Sequence, residues 1–341
     1  METIPTANIQ QLAKILYANI LAGIPTGILG GPGIGKTAIM LAIYNKLADR
    51  FSGGVFVIAT TEYNVLDLGG LYQVVDGLTV RCPSDQIPFD KPVLILVDEF
   101  ADCPAHEQSS YYRLVKEQVI GTRQLAAGSY VAFAANRPED NAAAREISTA
   151  MKGRAMLITL AADYLCTLLF ARRNNWDSRI ISFIKAFGSE VVNNGFDADC
   201  PYAGSTPRDF ERLAALESAG LINADIEIAN LQIVGCIGPD AGARYAAFRA
   251  IETPDPALVF DTDDAPVFDR HDIEKACLYG SAIVGYCQES EPHFQAIANY
   301  CLRCDRVTGF SLFFDIVARY PAFKSSPAMA RLVERFGPLF I

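Results

Sequence analysis

Residues Gly30 to Thr37 constrain this chain more than any other segment. They read Gly-Gly-Pro-Gly-Ile-Gly-Lys-Thr and match the pattern G-x-x-x-x-G-K-[ST]. Glycines let a backbone turn its N–H groups toward phosphate oxygens without Cβ clashes. The flanking residues predict a short strand at Gly27–Leu29 and a helix at Lys36–Asp49, whose positive dipole end would face the phosphates. A glycine turn without a ligand is the alternative, but the strand and helix around the loop favour a phosphate-binding loop.

The rest of the amino-terminal half alternates apolar strand segments with helix segments. Further buried strands are predicted at Val55–Ala59, Pro92–Val97, Tyr130–Ala135 and Ala155–Leu160. Helices are predicted at Asn8–Leu21, around His106–Gln118 and around Asn141–Lys152. This alternation predicts an α/β fold with a mainly parallel sheet that is covered on both faces.

From Ala161 onward the pattern is mostly helical. Pro207–Ser218 predicts a helix capped by Ser205 or Thr206, and Arg270–Phe336 predicts a last helical block. The Asp- and Pro-rich stretch Thr253–Val267 predicts a linker or an extended loop.

The loop residues predict specific chemistry. Lys36 can reach the β- and γ-phosphates of a nucleotide, and Thr37 can bind Mg²⁺. A second element, Val93 to Glu99, is an apolar strand that ends in two carboxylates. Asp98 is expected in the Mg²⁺ shell, and Glu99 is expected to polarise the attacking water. The complete set of residues expected to bind nucleotide is Gly31, Pro32, Gly33, Ile34, Gly35, Lys36, Thr37 and Ala38.

With both elements in place, the sequence resembles the AAA+ ATPases and, within them, the MoxR-like group. Tyr130–Asn136 (YVAFAAN) resembles the sensor 1 strand, which implies that Asn136 orients the lytic water. Ile147–Arg154 (ISTAMKGR) resembles the segment that ends in an arginine finger, with Arg154 as the candidate and Arg137 or Arg145 as alternatives. Ser205–Arg208 (STPR) resembles the lid-helix motif, which implies that Arg208 contacts the phosphates of its own subunit.

The resemblance also implies an organisation and a biological role. It implies an AAA+ core over residues 1–160, a helical lid over 161–242 and a helical extension over 243–341. ATP and Mg²⁺ are the implied ligands, and a homo-oligomeric ring, most often a hexamer, is the implied assembly. The implied role is chaperone-like remodelling or maturation of a partner protein, with a von Willebrand A partner on a separate chain.

Two segments resemble surface insertions of the MoxR-like group. Leu66–Arg81 resembles an insertion toward the ring pore, with Leu71 and Tyr72 near its tip. Gln118–Gly128 resembles the stretch that leads into a hairpin before sensor 1.

Composition limits the alternatives. A formal charge of −10 argues against tight, non-specific nucleic-acid binding. No apolar run approaches the ~18 residues that cross a bilayer. Scattered cysteines and a start without a signal-type stretch predict a cytoplasmic protein with reduced thiols. Cys301 and Cys304 are expected to be structural, and Asp261–Asp264 is expected to be solvated rather than a calcium loop. A nucleic-acid motor and an ATP-gated scaffold stay open as other functions.

Overall fold

The structure is a computed structural model. It describes residues 4–63, 70–82, 86–103, 105–140, 144–192, 205–222, 224–262 and 264–337. The chain divides into two compact units. The first unit comprises Met1–Cys166 and Asn194–Arg208, and the second comprises Thr167–Asn193 and Asp209–Ile341. The predicted division into core, lid and extension at residues 160 and 242 stays a prediction.

The first unit is built on a six-stranded sheet in which every pairing is parallel. The strands, in chain order, are β1 (Thr6–Ala7), β2 (Thr26–Leu29), β3 (Gly54–Ala59), β6 (Val93–Asp98), β9 (Tyr130–Ala135) and β10 (Met156–Leu160). Their order across the sheet is β1-β10-β2-β9-β6-β3, so β2 and β6 both neighbour β9. The two-residue strand β1 at the sheet edge is the one strand of this sheet that the sequence did not predict.

Helices cover both faces of this sheet. Those of the first unit are α1 (Ile9–Ala22), α2 (Lys36–Lys46), α3 (Ala105–Glu117) and α4 (Thr149–Lys152). Alternate residues of β6 point to opposite faces, so Leu94 and Leu96 pack with α1 and α2, whereas Val93, Ile95 and Val97 pack on the α3 side. Both faces of the central strand are therefore buried, which explains its uninterrupted apolar run.

The helix predicted around Asn141–Lys152 was wrong in length. Within the described residues, only Thr149–Lys152 is helical, and residues 144–148 have no regular structure. Ser148 caps this short helix because its Oγ accepts from the Met151 N–H at 3.3 Å.

Two hairpins project from the sheet connections. One pairs β4 (Leu71–Val75) with β5 (Leu78–Cys82) around a turn at Asp76 and Gly77, which both have positive φ. The expected tip at Leu71 and Tyr72 was therefore wrong, because those residues lie at the base of the hairpin. Residues 66–69 of the predicted insertion lie outside the described residues. The other hairpin pairs β7 (Val119–Ile120) with β8 (Arg123–Gln124), within the stretch expected to lead into one.

The second unit is helical. After α5 (Tyr164–Arg173), which crosses the boundary between the units, its helices are α6 (Ser178–Phe187), α7 (Pro207–Ser218, which begins in the first unit), α8 (Ile226–Ile237), α9 (Pro239–Arg249), α10 (Leu258–Asp261), α11 (Ile273–Tyr286), α12 (Glu291–Arg303), α13 (Arg306–Arg319) and α14 (Pro327–Phe336). Helix α10 corrects the prediction of a linker or extended loop at Leu258–Asp261, since its Phe260 packs against the core of the carboxy-terminal helices. The other described residues of Thr253–Val267 are neither helix nor strand.

The predicted fold class, α/β with a parallel sheet followed by helices, is confirmed. Among the described residues, Cys301 and Cys304 are buried free thiols, in keeping with a packing role. Asp263 of the acidic stretch lies outside the described residues. No helix in the described part of the chain combines the length and the apolar character that crossing a bilayer requires.

Candidate nucleotide-binding site

The glycine-rich loop joins β2 to α2 at the carboxyl edge of the sheet. Gly30, Gly33 and Gly35 have φ values of 147°, 75° and 99°, which residues with a Cβ rarely adopt. A Cβ at Gly33 would lie 2.4 Å from Thr206 Oγ1, so a close approach also requires glycine there. Within the described residues, no side chain caps the first turn of α2. Its backbone N–H groups therefore have the character of an anion site.

Lys36 is the first residue of α2, and its side chain is 9% exposed. Its Nζ donates to Gly30 O at 2.7 Å, Gly31 O at 2.8 Å and Asn136 Oδ1 at 2.8 Å. Burial lowers the pKa of Lys36 to about 8, and the carboxylate of Asp98 opposes this shift. The ammonium group thus holds three acceptor oxygens, which are the kind of atoms that a phosphate also offers.

Thr37, in the first turn of α2, is hydrogen-bonded to Asp98, the last residue of β6. Thr37 Oγ1 donates to Asp98 Oδ2 at 2.6 Å, and Asp98 Oδ1 accepts from the Glu99 N–H at 2.9 Å. Carboxylate and hydroxyl oxygens are the ligands that Mg²⁺ takes in proteins. The residues predicted as metal ligands therefore lie together, and their donor set fits this cation.

Glu99 has a strained backbone and a partner that the sequence did not predict. Its φ of 56° and ψ of 30° place it in the left-handed region, which costs a residue with a side chain about 1 kcal/mol. Thr61 Oγ1 donates to Glu99 Oε2, and Thr60 Oγ1 donates to Glu99 O at 2.8 Å. Both threonines directly follow β3, the strand beside β6, so the sheet order explains the contact. A polar pair after a strand was the sequence signal that could have found them.

Arg137 and Asp140 form an ion pair beside the loop. The guanidinium donates to both carboxylate oxygens of Asp140, at 2.7 Å for Nη2 to Oδ1, and Asp140 is buried. The hydrogen bond with Asp140 raises the pKa of Arg137, and Asp140 in turn supports the charge of Lys36. Arg137 is thus engaged by a carboxylate of its own chain. Arg145, the other alternative, is exposed.

Arg208 lies against the glycine-rich loop. Its backbone N–H donates to Gly33 O at 3.2 Å, and a Cβ at Gly33 would come within 3.2 Å of Arg208 Cβ. The side chain is exposed, and its charge contributes to lowering the pKa of Lys36. The structure thus places a second cation beside the loop of the same subunit.

Arg154 precedes the amino end of β10, whereas the glycine-rich loop follows the carboxyl end of the neighbouring strand β2. Met156 is in register with Thr26 at the start of both strands, so Arg154 lies six residues before the level of Gly30. The strand from Met156 to Leu160 accounts for about 13 Å of this separation at about 3.3 Å per residue, and Arg154 lies in the turn before that strand. The Arg154 guanidinium donates to Ala150 O and lies 5.1 Å from the Tyr112 ring centre. Arg154 is therefore the one predicted site residue that the structure does not bring to the loop.

Comparisons with known proteins add little. No model of a known protein family matches the sequence, and no curated protein matches it. Among solved structures, the chain is similar to the RuvB Holliday junction branch migration motor of Thermotoga maritima, with 14% identity, a TM-score of 0.35, and 68% of this chain and 71% of that chain covered. It is also similar to NtrX of Brucella abortus, with 13% identity, a TM-score of 0.36, and 99% and 69% covered. It is also similar to a proposed ATPase of Cytophaga hutchinsonii, with 14% identity, a TM-score of 0.34, and 98% of this chain and 90% of that chain covered. Because each TM-score is below 0.5, no statement about function rests on these similarities.

Proposed function

We propose that this chain is an AAA+ ATPase of the MoxR-like kind that hydrolyses ATP with Mg²⁺. One observation supports the proposal. Lys36 and Thr37 begin the helix that follows β2, and direct hydrogen bonds join Lys36 to Asn136 after β9 and Thr37 to Asp98 at the end of β6, beside an uncapped helix start. A glycine turn without a ligand would not require a buried ammonium aligned with a hydroxyl–carboxylate pair.

Each side chain then has a distinct role. Lys36 and the backbone of Gly31 to Ala38 bind the phosphates, and Arg208 adds charge from the same subunit. Thr37 and Asp98 hold Mg²⁺, which when bound neutralises charge on the phosphate oxygens. Glu99 accepts a proton from the attacking water, and Asn136 orients that water.

The proposal includes an assembly. Arg154 lies before the amino end of β10, and the strand alone separates it from the level of its own loop by about 13 Å, so we expect it to serve the site of another copy. A row of copies in which each Arg154 faces the next loop uses a head-to-tail contact, and such contacts close into rings when the rotation permits. We propose a hexameric ring on the strength of the family resemblance.

The proposed biological role is remodelling or maturing a partner protein, with a von Willebrand A partner in a separate chain. The hairpin Leu71–Cys82 supports a protein client, because Leu71, Tyr72, Val74 and Leu78 are 66–76% exposed. Exposed apolar side chains favour contact with apolar polypeptide rather than with a phosphate backbone. ATPase assays with an unfolded protein and with duplex DNA test this role. Stimulation by the protein is expected, and stimulation by DNA alone would contradict it.

Steady-state hydrolysis by purified variants tests the enzymatic proposal. Lys36→Ala should lose both ATP binding and turnover. Glu99→Gln should keep binding and lose about 10² to 10⁴ of the turnover, which is the usual contribution of a general base. Glu117→Gln, an exposed carboxylate on α3, serves as the matched control and should behave as wild type. Unchanged turnover in Glu99→Gln would sink the proposed mechanism.

A further inference from the structure

The helical second unit contains a cavity that plays no part in the proposed ATPase chemistry. Its volume is about 270 Å³, and residues from α5, α6, α11 and α13 and from the loop between α5 and α6 line it. Arg172, Arg319 and Asp315 supply its charged wall, and Trp176, Ile181 and Val284 supply its apolar wall. All of these residues belong to the second unit.

The charges at this cavity do not balance. Arg172 and Lys185 both donate to the carboxylate of Asp315, and the three side chains are only 13%, 11% and 9% exposed. Two cations therefore share one anion in a poorly hydrated place. Arg319 adds a further positive charge at the cavity wall, where its Nη1 donates to Asn175 Oδ1 at 2.6 Å. The described charged residues that line the cavity, Arg172, Arg319 and Asp315, sum to a charge of +1, and Lys185, which binds Asp315 from outside the lining, brings the cluster to +2.

One donor at the cavity is unused. The Nε of Arg172 is buried and has no hydrogen-bond partner among the described residues. The guanidinium carbon lies 4.9 Å from the Phe314 ring centre, a contact that satisfies no N–H donor. A buried charged donor without a partner is costly, and a negative charge in the adjacent cavity would stabilise the guanidinium through its electrostatic field.

We propose that this cavity binds a small organic anion through a carboxylate or phosphate group. Arg172 and Arg319 would take the anionic oxygens, because guanidinium groups match these planar or tetrahedral acceptors with paired donors. Trp176 and Val284 would contact the apolar part of the ligand. The volume is near the lower end of small-molecule pockets, so the ligand has the size of a short carboxylic acid or a phosphate monoester rather than a polymer.

The chain provides its own reporter for this site, because Trp176 is its single tryptophan. The full-length protein is titrated with sodium phosphate and with sodium citrate while tryptophan fluorescence is recorded. Sodium chloride at equal ionic strength is the reference. A saturable change with phosphate or with citrate, absent with chloride, is expected, and the salt that produces it distinguishes the two ligand chemistries.

Two glycines give a matched pair of variants. A Cβ at Gly285, which lines the cavity, or at Gly235, on the exposed side of α8, would meet no atom within 4 Å. Gly285→Leu should fill the cavity and weaken binding at least tenfold, whereas Gly235→Leu should bind as wild type. Arg319→Gln should weaken binding about tenfold, since a charged hydrogen bond is lost. Lys36→Ala should retain the signal, which separates this site from phosphate binding at the loop.

Two results would overturn the proposal. One is a fluorescence change that follows ionic strength and is the same for all three salts. The other is equal affinity in Gly285→Leu and Gly235→Leu. In either case, Arg172, Lys185 and Asp315 would be a structural ion cluster that links α5, α6 and α13.

Discussion

The lowered pKa of Lys36 predicts that nucleotide affinity depends on pH. The perturbation is a change from pH 7 to pH 9. With a pKa of about 8, Lys36 is about nine-tenths charged at pH 7 and about one-tenth charged at pH 9. If the phosphates bind the ammonium form, the apparent Kd rises by the inverse of that fraction, which is about tenfold.

The assay is equilibrium binding of a fluorescent ATP analogue with Mg²⁺. The Glu99→Gln variant is used so that the nucleotide is not hydrolysed, and Glu99 is not among the main causes of the pKa shift of Lys36, which are burial and the charges of Asp98, Asp140, Arg208 and Asp102. Lys36→Arg provides the control, because arginine stays charged over this range. Its affinity should be weaker in absolute terms and constant between pH 7 and 9.

A change of less than twofold in nucleotide affinity between pH 7 and pH 9, in the protein that keeps Lys36, would contradict this prediction. It is also refuted if Lys36→Arg weakens in parallel, since another group would then titrate.

Three further predictions concern the same unit. Thr61→Ala should raise basal ATP turnover a few-fold, because the Thr61 hydroxyl donates a hydrogen bond to a carboxylate oxygen of Glu99. Thr61→Ser keeps the hydroxyl and should show the wild-type rate. A tenfold loss of turnover in Thr61→Ala would contradict this prediction. Tyr112→Leu should lower kcat about three- to tenfold, because it removes the aromatic ring against which Arg154 packs. Tyr112→Phe keeps the ring and should keep most of the rate. Equal rates in the two variants would show that this contact does not affect turnover. Finally, the unfolded chain binds more protons than the folded chain between pH 8 and 10.5 because folding lowers the pKa of Lys36. Stability measured by urea denaturation should therefore rise from pH 7 to pH 9 by about 1.3 kcal/mol more in wild type than in Lys36→Met, and equal slopes would refute the shift.

The sequence was sufficient where local patterns decide structure. The run Val93–Asp98 is apolar throughout because both faces of β6 are buried, so its prediction needed no tertiary knowledge. Glycine at positions 30, 33 and 35 is required by local backbone geometry, and the phosphate-loop motif encodes that requirement.

The sequence was insufficient where contacts join distant segments. Thr61 and Glu99 meet because β3 pairs with β6, and no spacing along the chain reveals that pairing. The predicted hairpin tip at Leu71 and Tyr72 followed the apolar residues. The Asp-Gly pair at residues 76 and 77 is the sequence signal for the turn, because two-residue hairpin turns favour residues with positive φ. Helix α10 forms inside a Pro- and Asp-rich segment because tertiary packing of Phe260 outweighs low helix propensity.

The central claim is that the loop of one copy works with Arg154 of another. Mixing two inactive variants, Lys36→Ala and Arg154→Ala, tests it most directly. A mixed assembly contains interfaces with an intact Lys36 on one side and an intact Arg154 on the other. We expect the mixture to regain a substantial part of wild-type ATP turnover. A mixture that stays as inactive as each variant alone, while gel filtration shows that the two chains assemble together, would contradict it.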